Sequence, residues 1–376
     1  MLPRFSTPTV ALVHTLNEDA NISMRLYAEQ LGSRLEGRGL AVRHIRVGSV
    51  GSGRAGGSGI PGHLALLWCR FVRGPRALKG LRADVVHIVD HAHAHLVGAA
   101  GPARTVVTCH DLILLVLAEG RLGISHRSPL GIASFRYSTS FLRRAAAVIA
   151  DSECTGRDAV RLLDVDPGRV RVIAPGLNGN FEQARDDREA TRARLGWVTP
   201  VLLHVGHTDF YKNLEGCLAV LARVRRRGIE ARFVHVGAPL RPRQRALGEH
   251  LGVLRHVQEV GHVPFEILRA IYGAADVLLF PSWYEGFGWP PLEAMASGLP
   301  VVCSNAGALP ELVGDAARTA APEDMDGLAD AVGEVLGDPR LAADLRARGV
   351  QRAASFRWES TAARVADVYD SVRAGA

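Results

Sequence analysis

Short aliphatic, β-branched runs recur along the whole chain, and most are followed by a stretch whose apolar residues return at helical spacing. This alternation is the pattern of parallel sheets covered by helices on both faces. The runs lie at residues 9–14 (TVALVH), 41–46, 85–89, 105–108, 147–150 and 170–173. After the first of them, Met24, Leu26, Tyr27, Leu31 and Leu35 recur as one helical face over residues 23–35. Together these predict one open α/β domain. A second alternation begins at residues 201–205 (VLLHV) and continues with a helix over 214–227, a strand over 231–236, a helix through Leu247 and a strand over 275–280. Residues 325–352 read as helical, and 358–372 as a terminal helix.

At 376 residues the chain exceeds what one hydrophobic core usually organises. Two domains are expected: residues 1–180, with the terminal helix 358–376 packing back on them, and residues 181–357. The turn-rich APGLNGN and the charged segment after it mark the boundary near residues 175–194. Inside the first domain, residues 48–62 (GSVGSGRAGGSGIPG) carry too many glycines for helix or strand and read as a mobile surface loop. The expected architecture is two Rossmann-like domains facing each other across a cleft. Ligands of open α/β sheets bind at the carboxyl ends of the strands, so the cleft is where chemistry is expected.

Composition removes several alternatives. The longest apolar run, residues 112–118, is far shorter than the roughly twenty residues of a membrane span. The N-terminus lacks the pattern of a cleaved signal, so a cytoplasmic protein is expected. Five cysteines (Cys69, Cys109, Cys154, Cys217, Cys303) lie far apart with no C-x-x-C pair, which fits reduced packing residues and neither a disulfide framework nor a zinc site. The formal charge of +7 comes mostly from arginine, clustered at Arg223, Arg225, Arg226, Arg227 and at Arg241, Arg243, Arg245. Such clusters are either solvated helix faces or a peripheral contact with an anionic membrane surface or phosphorylated acceptor. No helix-turn-helix, RNP or finger pattern accompanies them, so nucleic acid is not an expected partner.

The richest motif is residues 280–300, FPSWYEGFGWPPLEAMASGLP. An apolar strand ends, a glycine loop turns, and a helix begins near two prolines, which suit a first helical turn because their missing N–H has no intrahelical partner there. Gly286 and Gly288 let the backbone approach a ligand closely, and a helix start favours an anion such as a diphosphate. Glu285 and Glu293 stand before and after this turn; each carboxylate can accept two hydrogen bonds from a vicinal diol. A glycosidase pair is the weaker reading, since those carboxyls must flank one bond.

The segment E-G-F-G-x-P-x-L-E-A-M-A-x-G-x-P-V-V, residues 285–302, resembles the signature of retaining glycosyltransferases of family 4, which have the GT-B fold. The flanks agree: Val205 and Gly206, then Lys212, Asn213 and Leu214; Gly261, His262, Val263 and Pro264; Tyr272; Ala275 and Asp276; Pro281 and Ser282; Leu309, Pro310 and Glu311; Phe356 and Trp358. In the first domain the likeness is thinner, carried by Thr108, Cys109, His110, Asp111 and by Ile149, Ala150, Asp151, Ser152.

That resemblance implies a nucleotide-diphosphate sugar as donor, no metal or other cofactor, and an acceptor that cannot be transferred from the family. It implies His110, Lys212 and Glu285 as catalytic residues: His110 and Glu285 on the sugar hydroxyls, Lys212 and the backbone of residues 286–288 on the diphosphate, where leaving-group charge develops. It implies Glu293 on the ribose and the Val263 backbone on the base, with Gly206, His207, Phe287 and Leu292 completing the donor site.

Two departures stand out. Many relatives carry an arginine five or six residues before the lysine, where this chain has His207 and Gly206; a protonated His207 is one substitute, and turnover would then be pH-sensitive. The first glycine-rich loop of many relatives is here the polar HTLNEDANIS, residues 14–23, read as an acceptor-binding loop or a plain connection. Alternate His91, His93 and His95 suggest a metal site on one strand face, but such a site needs supporting partners, so His91 is kept as a candidate cleft residue. A role in cell-surface glycan or glycolipid synthesis is expected. The alternatives are glycosylation of a soluble natural product, another GT-B activity such as a phosphorylase or epimerase, or a silent nucleotide-sugar-binding partner protein.

Overall fold

The computed structural model describes residues 7–15, 22–47, 68–120, 129–182, 184–185 and 187–375. The glycine-rich segment 48–62, most of the polar segment 14–23 and the first six residues lie outside that set.

Twelve strands form two parallel sheets of six. The first contains β1 (Thr9–Thr15), β2 (Ala41–Val47), β3 (Val85–Ile88), β4 (Thr105–Cys109), β5 (Ala147–Ala150) and β6 (Val170–Val172), in the order β2-β1-β3-β4-β5-β6. The second contains β7 (Val201–Gly206), β8 (Arg232–Gly237), β9 (Val257–Gly261), β10 (Val277–Phe280), β11 (Val301–Ser304) and β12 (Ala317–Ala320), in the order β12-β11-β10-β7-β8-β9. The strand order therefore reverses between β1 and β3 in one sheet and between β7 and β10 in the other. At such a switch neighbouring crossovers go to opposite faces and leave a crevice beyond the carboxyl ends of the two strands.

The central strands are buried on both faces, which is why they read as continuous apolar runs rather than alternating ones. Val85–Ile88, Ala147–Ala150 and Val277–Phe280 are buried throughout. Helix faces complete each core: Leu214, Leu218 and Leu221 with Leu328 and Val332 in the second unit, and Val97, Leu112, Leu115 and Leu142 in the first.

Contacts divide the chain into Met1–Gly176 with Arg357–Ala376, and Leu177–Phe356. The terminal helix Trp358–Ala374 lies against the helix Ile22–Gly37, with Trp358 edge-on to Tyr27 at 5.4 Å between ring centroids. No helix among the described residues is long and apolar enough to cross a membrane.

Three expectations change in detail. The strand expected over 275–280 starts at Val277, and the one over 231–236 is Arg232–Gly237. The helical stretch 325–352 is two helices, Met325–Gly337 and Pro339–Ala353. Asp338 between them is extended, its carboxylate accepting from the N–H groups of Arg340 and Leu341 at 2.8 and 3.2 Å, and Pro339 starts the new helix. Strands β9, β11 and β12 had no reading in the sequence. β11 has only four residues, and β9 and β12 are half-buried or exposed at sheet edges, so their apolar signal is weak.

Candidate functional site

In the second unit the switch between β7 and β10 brings two loops side by side. Leaving β7 at Gly206, the chain makes a short 3-10 turn over Phe210–Lys212 and enters the helix Leu214–Arg226 through Asn213. Asn213 adopts a left-handed backbone (φ 55°), and its side-chain oxygen accepts from the Gly216 N–H at 3.0 Å. Its amide nitrogen donates to the carbonyls of Pro281 and Pro322, each at 2.9 Å, which ties this turn to the chain leaving β10. The N–H of Trp283 adds a bond to the Tyr211 carbonyl at 2.7 Å.

The tie places Lys212 directly on Glu285. The ammonium donates to both carboxylate oxygens, at 2.8 and 3.0 Å, with the two side chains only 11% and 9% exposed. The same ammonium sits 5.1 Å from the ring centroid of Tyr211 and 5.3 Å from that of Phe280. A cation so enclosed is poorly hydrated and interacts strongly with any anion that enters. Glu285 in turn is held by its backbone. Its carbonyl accepts from the Ala308 N–H at 2.9 Å, and a Cβ on Gly307 (φ +60°) would fall 2.6 Å from the Glu285 N and O atoms.

Gly288, at φ +113°, closes the turn; a Cβ there would meet Leu309 and Leu312 at 2.9 Å. The helix that follows, Trp289–Ala296, offers an anion less N–H than its position suggests. Pro290 and Pro291 have none, and the Leu292 N–H donates to the Gly288 carbonyl at 3.2 Å. What it contributes is its dipole and the tight glycine turn. One turn on, Glu293 accepts a 2.7 Å hydrogen bond from the Tyr272 hydroxyl. Enclosure by the surrounding protein pushes its carboxyl up to about 7, against the opposing pull of that hydroxyl.

The remaining expected donor-site residues are spread unevenly. Gly206 ends β7 beside Gly237 of β8. His207 is exposed, its ring 6.5 Å from that of His262. Val263 is half-buried just beyond β9, and Phe287 is buried with its ring 5.8 Å from that of Phe356. Leu292 is fully buried, so its side chain supplies packing.

In the first unit His110 follows β4 and Asp151 follows the neighbouring β5. His110 Nδ1 lies 2.6 Å from an Asp151 carboxylate oxygen and Nε2 lies 2.7 Å from the Val89 carbonyl. Both partners accept only, so both ring nitrogens carry protons and the ring is an imidazolium. Burial opposes that charge, but the charge and hydrogen bond of Asp151 and the Val89 carbonyl outweigh it and raise His110 to about 9. The His110 N–H donates to His91 Nδ1 at 3.3 Å, and Tyr27 stands edge-on at 4.9 Å. Behind them runs a buried chain: Tyr369 hydroxyl to His87 at 2.6 Å, His87 to the Thr108 hydroxyl at 2.7 Å, Thr108 to the Tyr27 hydroxyl at 3.3 Å.

Residues 91, 93 and 95 are not on a strand, so the geometry behind the metal reading is absent. His91–Leu96 is a 3-10 helix started by Asp90, whose carboxylate accepts from the Ala92 N–H at 2.8 Å. Each histidine has its own partner: His91 the His110 N–H, His93 the Asp90 carboxylate at 3.1 Å, His95 the Ser138 hydroxyl at 2.6 Å and the Arg70 carbonyl at 2.9 Å. No group of three or more His, Cys, Asp or Glu side chains suited to a metal ion occurs among the described residues.

The arginine clusters singled out in the sequence are largely neutralised by neighbours. Arg223 pairs with Asp326, Arg227 with Asp330, Arg241 with Asp209, Arg243 with Glu215 and Arg245 with Glu259, all at 2.6–2.8 Å. They make a mixed-charge surface rather than a basic patch. Asp151, Tyr272 and Asn213 are the residues to which sequence reasoning assigned no role. All three stand inside the motif segments already singled out: Asp151 and Tyr272 touch His110 and Glu293 across the fold, and Asn213 follows Lys212 in the chain.

Comparison with known proteins places both halves of the chain. Residues 199–338 match the family model described as glycosyl transferases group 1, and residues 24–180 match that of glycosyltransferase family 4. An MMP alpha-(1->4)-mannosyltransferase of Mycolicibacterium hassiacum is 32% identical over 234 residues, 61% of this chain and 54% of that protein. The chain thus spans about half the length of that relative. A glycogen synthase of Mycobacterium tuberculosis is 31% identical over 321 residues, 81% of this chain and 74% of its own. Among solved structures, sucrose-phosphate synthase from Thermosynechococcus elongatus aligns with a TM-score of 0.77 at 22% identity, covering 98% of this chain and all (100%) of that one. Anabaena Alr3699/HepE, solved in complex with UDP-glucose, aligns with a TM-score of 0.71 at 19% identity, covering 96% and 99%. These likenesses show a shared fold.

Proposed function

The chain belongs to glycosyltransferase family 4, and on that premise we propose that it moves a sugar from a nucleotide diphosphate to an acceptor hydroxyl with retention of configuration and without a metal. The observation that carries this reading is the Lys212–Glu285 ion pair, buried at the β7/β10 switch beside the glycine turn at Gly288. A nucleotide-sugar diphosphate brings two needs to one place: a cation for its phosphates and acceptors for its sugar hydroxyls. Lys212 answers the first and Glu285 the second. Donor binding exchanges part of the Lys212–Glu285 bond for phosphate on one side and hydroxyls on the other, so neither group is left without a partner.

In this reading the second unit binds the donor. Glu293 takes the ribose diol and the Val263 backbone the base, with residues 286–288 against the phosphates. The glycosidic carbon–oxygen bond to phosphate breaks, and the acceptor oxygen bonds to the same carbon on the same face. The acceptor proton passes to the departing phosphate oxygen. Lys212 stabilises the charge that grows on that phosphate, and no side-chain nucleophile is needed. To the first unit the reading assigns the acceptor, with His110 as a charged donor toward sugar hydroxyls once Nε2 leaves the Val89 carbonyl. UDP is the first nucleotide to try, because a fold relative was solved with UDP-glucose, and the first sugars to try are glucose, for the same reason, and mannose, because one relative is a mannosyltransferase. A cell-surface glycan or glycolipid is the proposed acceptor class.

The test is a thermal-shift series with UDP, GDP, ADP, TDP and CDP, with and without magnesium. A saturating nucleotide at about a hundred times its dissociation constant stabilises by about 2.7 kcal/mol. One diphosphate is expected to raise the midpoint equally with and without metal, and the corresponding sugar to be transferred to an acceptor. A midpoint that moves only with magnesium would overturn the metal-independent reading.

A further inference from the structure

The first unit carries an arginine-rich region that, among the described residues, lacks the ion pairs that neutralise the arginine clusters of the second unit. Residues 68–82 contain four arginines and one lysine, residues 129–144 three arginines, and neither segment contains Asp or Glu. They form a π-helical turn Cys69–Arg73 running into the helix Gly74–Leu78, and the helix Pro129–Thr139 with the 3-10 turn Ser140–Arg144. The two pieces meet where Phe71 and Tyr137 stack edge-on, 5.9 Å between centroids, and Leu130 stands two helical turns before Tyr137, on the same side of its helix. Arg73, Arg76 and Arg136 are exposed and have no ion pair among the described residues. The same two segments hold large apolar groups in solvent: Trp68 is 55% exposed, Leu130 81% and Tyr137 56%. The Arg76 guanidinium lies over the Trp68 ring at 5.9 Å.

We propose that this face docks on the surface of an anionic lipid bilayer. Cations without acidic neighbours are attracted by a negative headgroup layer, and the aromatic rings and Leu130 enter the headgroup–acyl boundary, where amphipathic rings gain most. A soluble polyanion would use the arginines but would leave Leu130 and Trp68 in water. The inference stands apart from the donor site, since binding to lipid requires no substrate.

The experiment is flotation of the full chain with phosphatidylcholine vesicles and with mixed phosphatidylcholine–phosphatidylglycerol vesicles, at low and high salt. Flotation is expected with the mixed vesicles only and should weaken with salt. Arg73→Gln, Arg76→Gln and Arg136→Gln combined should weaken partitioning roughly a hundredfold. Trp68→Ser with Leu130→Ser should weaken it with an unchanged salt slope, and Arg223→Gln with Arg227→Gln should leave it as in the unaltered protein. Independently of any destabilised variant, brominated lipid should quench the unaltered protein's tryptophan fluorescence, and Trp68→Phe should remove that quenching. Flotation with neither vesicle, equal flotation with both, binding by the triple variant at full strength, or heparin binding without flotation would each overturn the proposal. A melting midpoint of the triple variant equal to that of the unaltered protein shows that only the docking face was changed.

Discussion

At Glu293 a single proton decides what the residue can hold. The carboxyl is raised to about 7, from 4.5, so it is charged only above neutrality, and as pH rises from 4.5 to 7 its burial increasingly disfavours the folded form. In the proposed ribose-binding role the ionised carboxylate accepts both hydroxyls, whereas the protonated acid gives up part of that acceptor capacity to its own O–H. Nucleotide affinity measured by calorimetry is therefore expected to strengthen as pH rises through about 7, and Glu293→Gln should flatten that dependence. His110 has the opposite sign. Its pKa is raised from 6.5 to about 9, so the stability it contributes is fully present below 6.5 and is lost as pH rises through 9. Asp151→Asn should cost about 3–5 kcal/mol, the range for breaking a buried charged pair. The His110 ring resonances, followed by NMR, should then titrate well below 9; an unmoved titration would show that Asp151 does not hold the charge. Lys212→Ala should lower turnover roughly a hundred- to a thousandfold, in keeping with loss of one charge-stabilising group, while the same variant leaves Glu285 buried without its partner. Turnover assays of Lys212→Ala and Lys212→Arg side by side separate lost charge from lost folding, since the arginine keeps the charge.

At the scale of elements, the proposed donor site is made by turns rather than by helices or strands. Gly307 adopts φ +60° under the Glu285 backbone, and an added Cβ would lie 2.6 Å from it. Gly307→Ala should cost about 1–3 kcal/mol in strain and displace Glu285 besides. The expected outcome is a lower melting midpoint with a larger proportional loss of nucleotide-sugar affinity than of stability; loss of stability alone would mean that Glu285 does not bind the donor sugar. The strand–turn–helix at residues 280–300 was legible in the sequence because its signals are local: an apolar run, two glycines and two prolines. The break at Asp338 had the same kind of signal in its Asp-Pro pair, yet apolar periodicity on both sides hid it. The 3-10 helix at His91–Leu96 was misread because alternation of His and Ala over six residues imitates a strand, whereas Asp90 caps it as a helix.

Across the whole molecule, the terminal helix Trp358–Ala374 belongs to the unit that opened the chain. It buries Trp358, Val365, Val368, Tyr369 and Val372, and Tyr369 reaches the polar chain behind His110 through His87, whose pKa burial and the neighbouring His110 charge push down to about 3. A chain ending at Phe356 should lose hydrogen-exchange protection in β3 and β5, which this helix contacts, while β7 and β10 keep theirs. Equal loss in both units would mean that the two fold as one. The alternating pattern, the number of parallel sheets and the family signature were all present in the sequence by itself, because parallel sheets demand continuous apolar strands and crossover helices, and the tight turn at Gly288 demands glycine. Only the tertiary structure decided the charges and partners. Lys212 meets Glu285 across 73 residues, His110 meets Asp151 across 41, and Tyr272 meets Glu293 from another helix. No local pattern encodes which buried donor faces which buried acceptor; that follows from strand order, and strand order from how the crossovers pack.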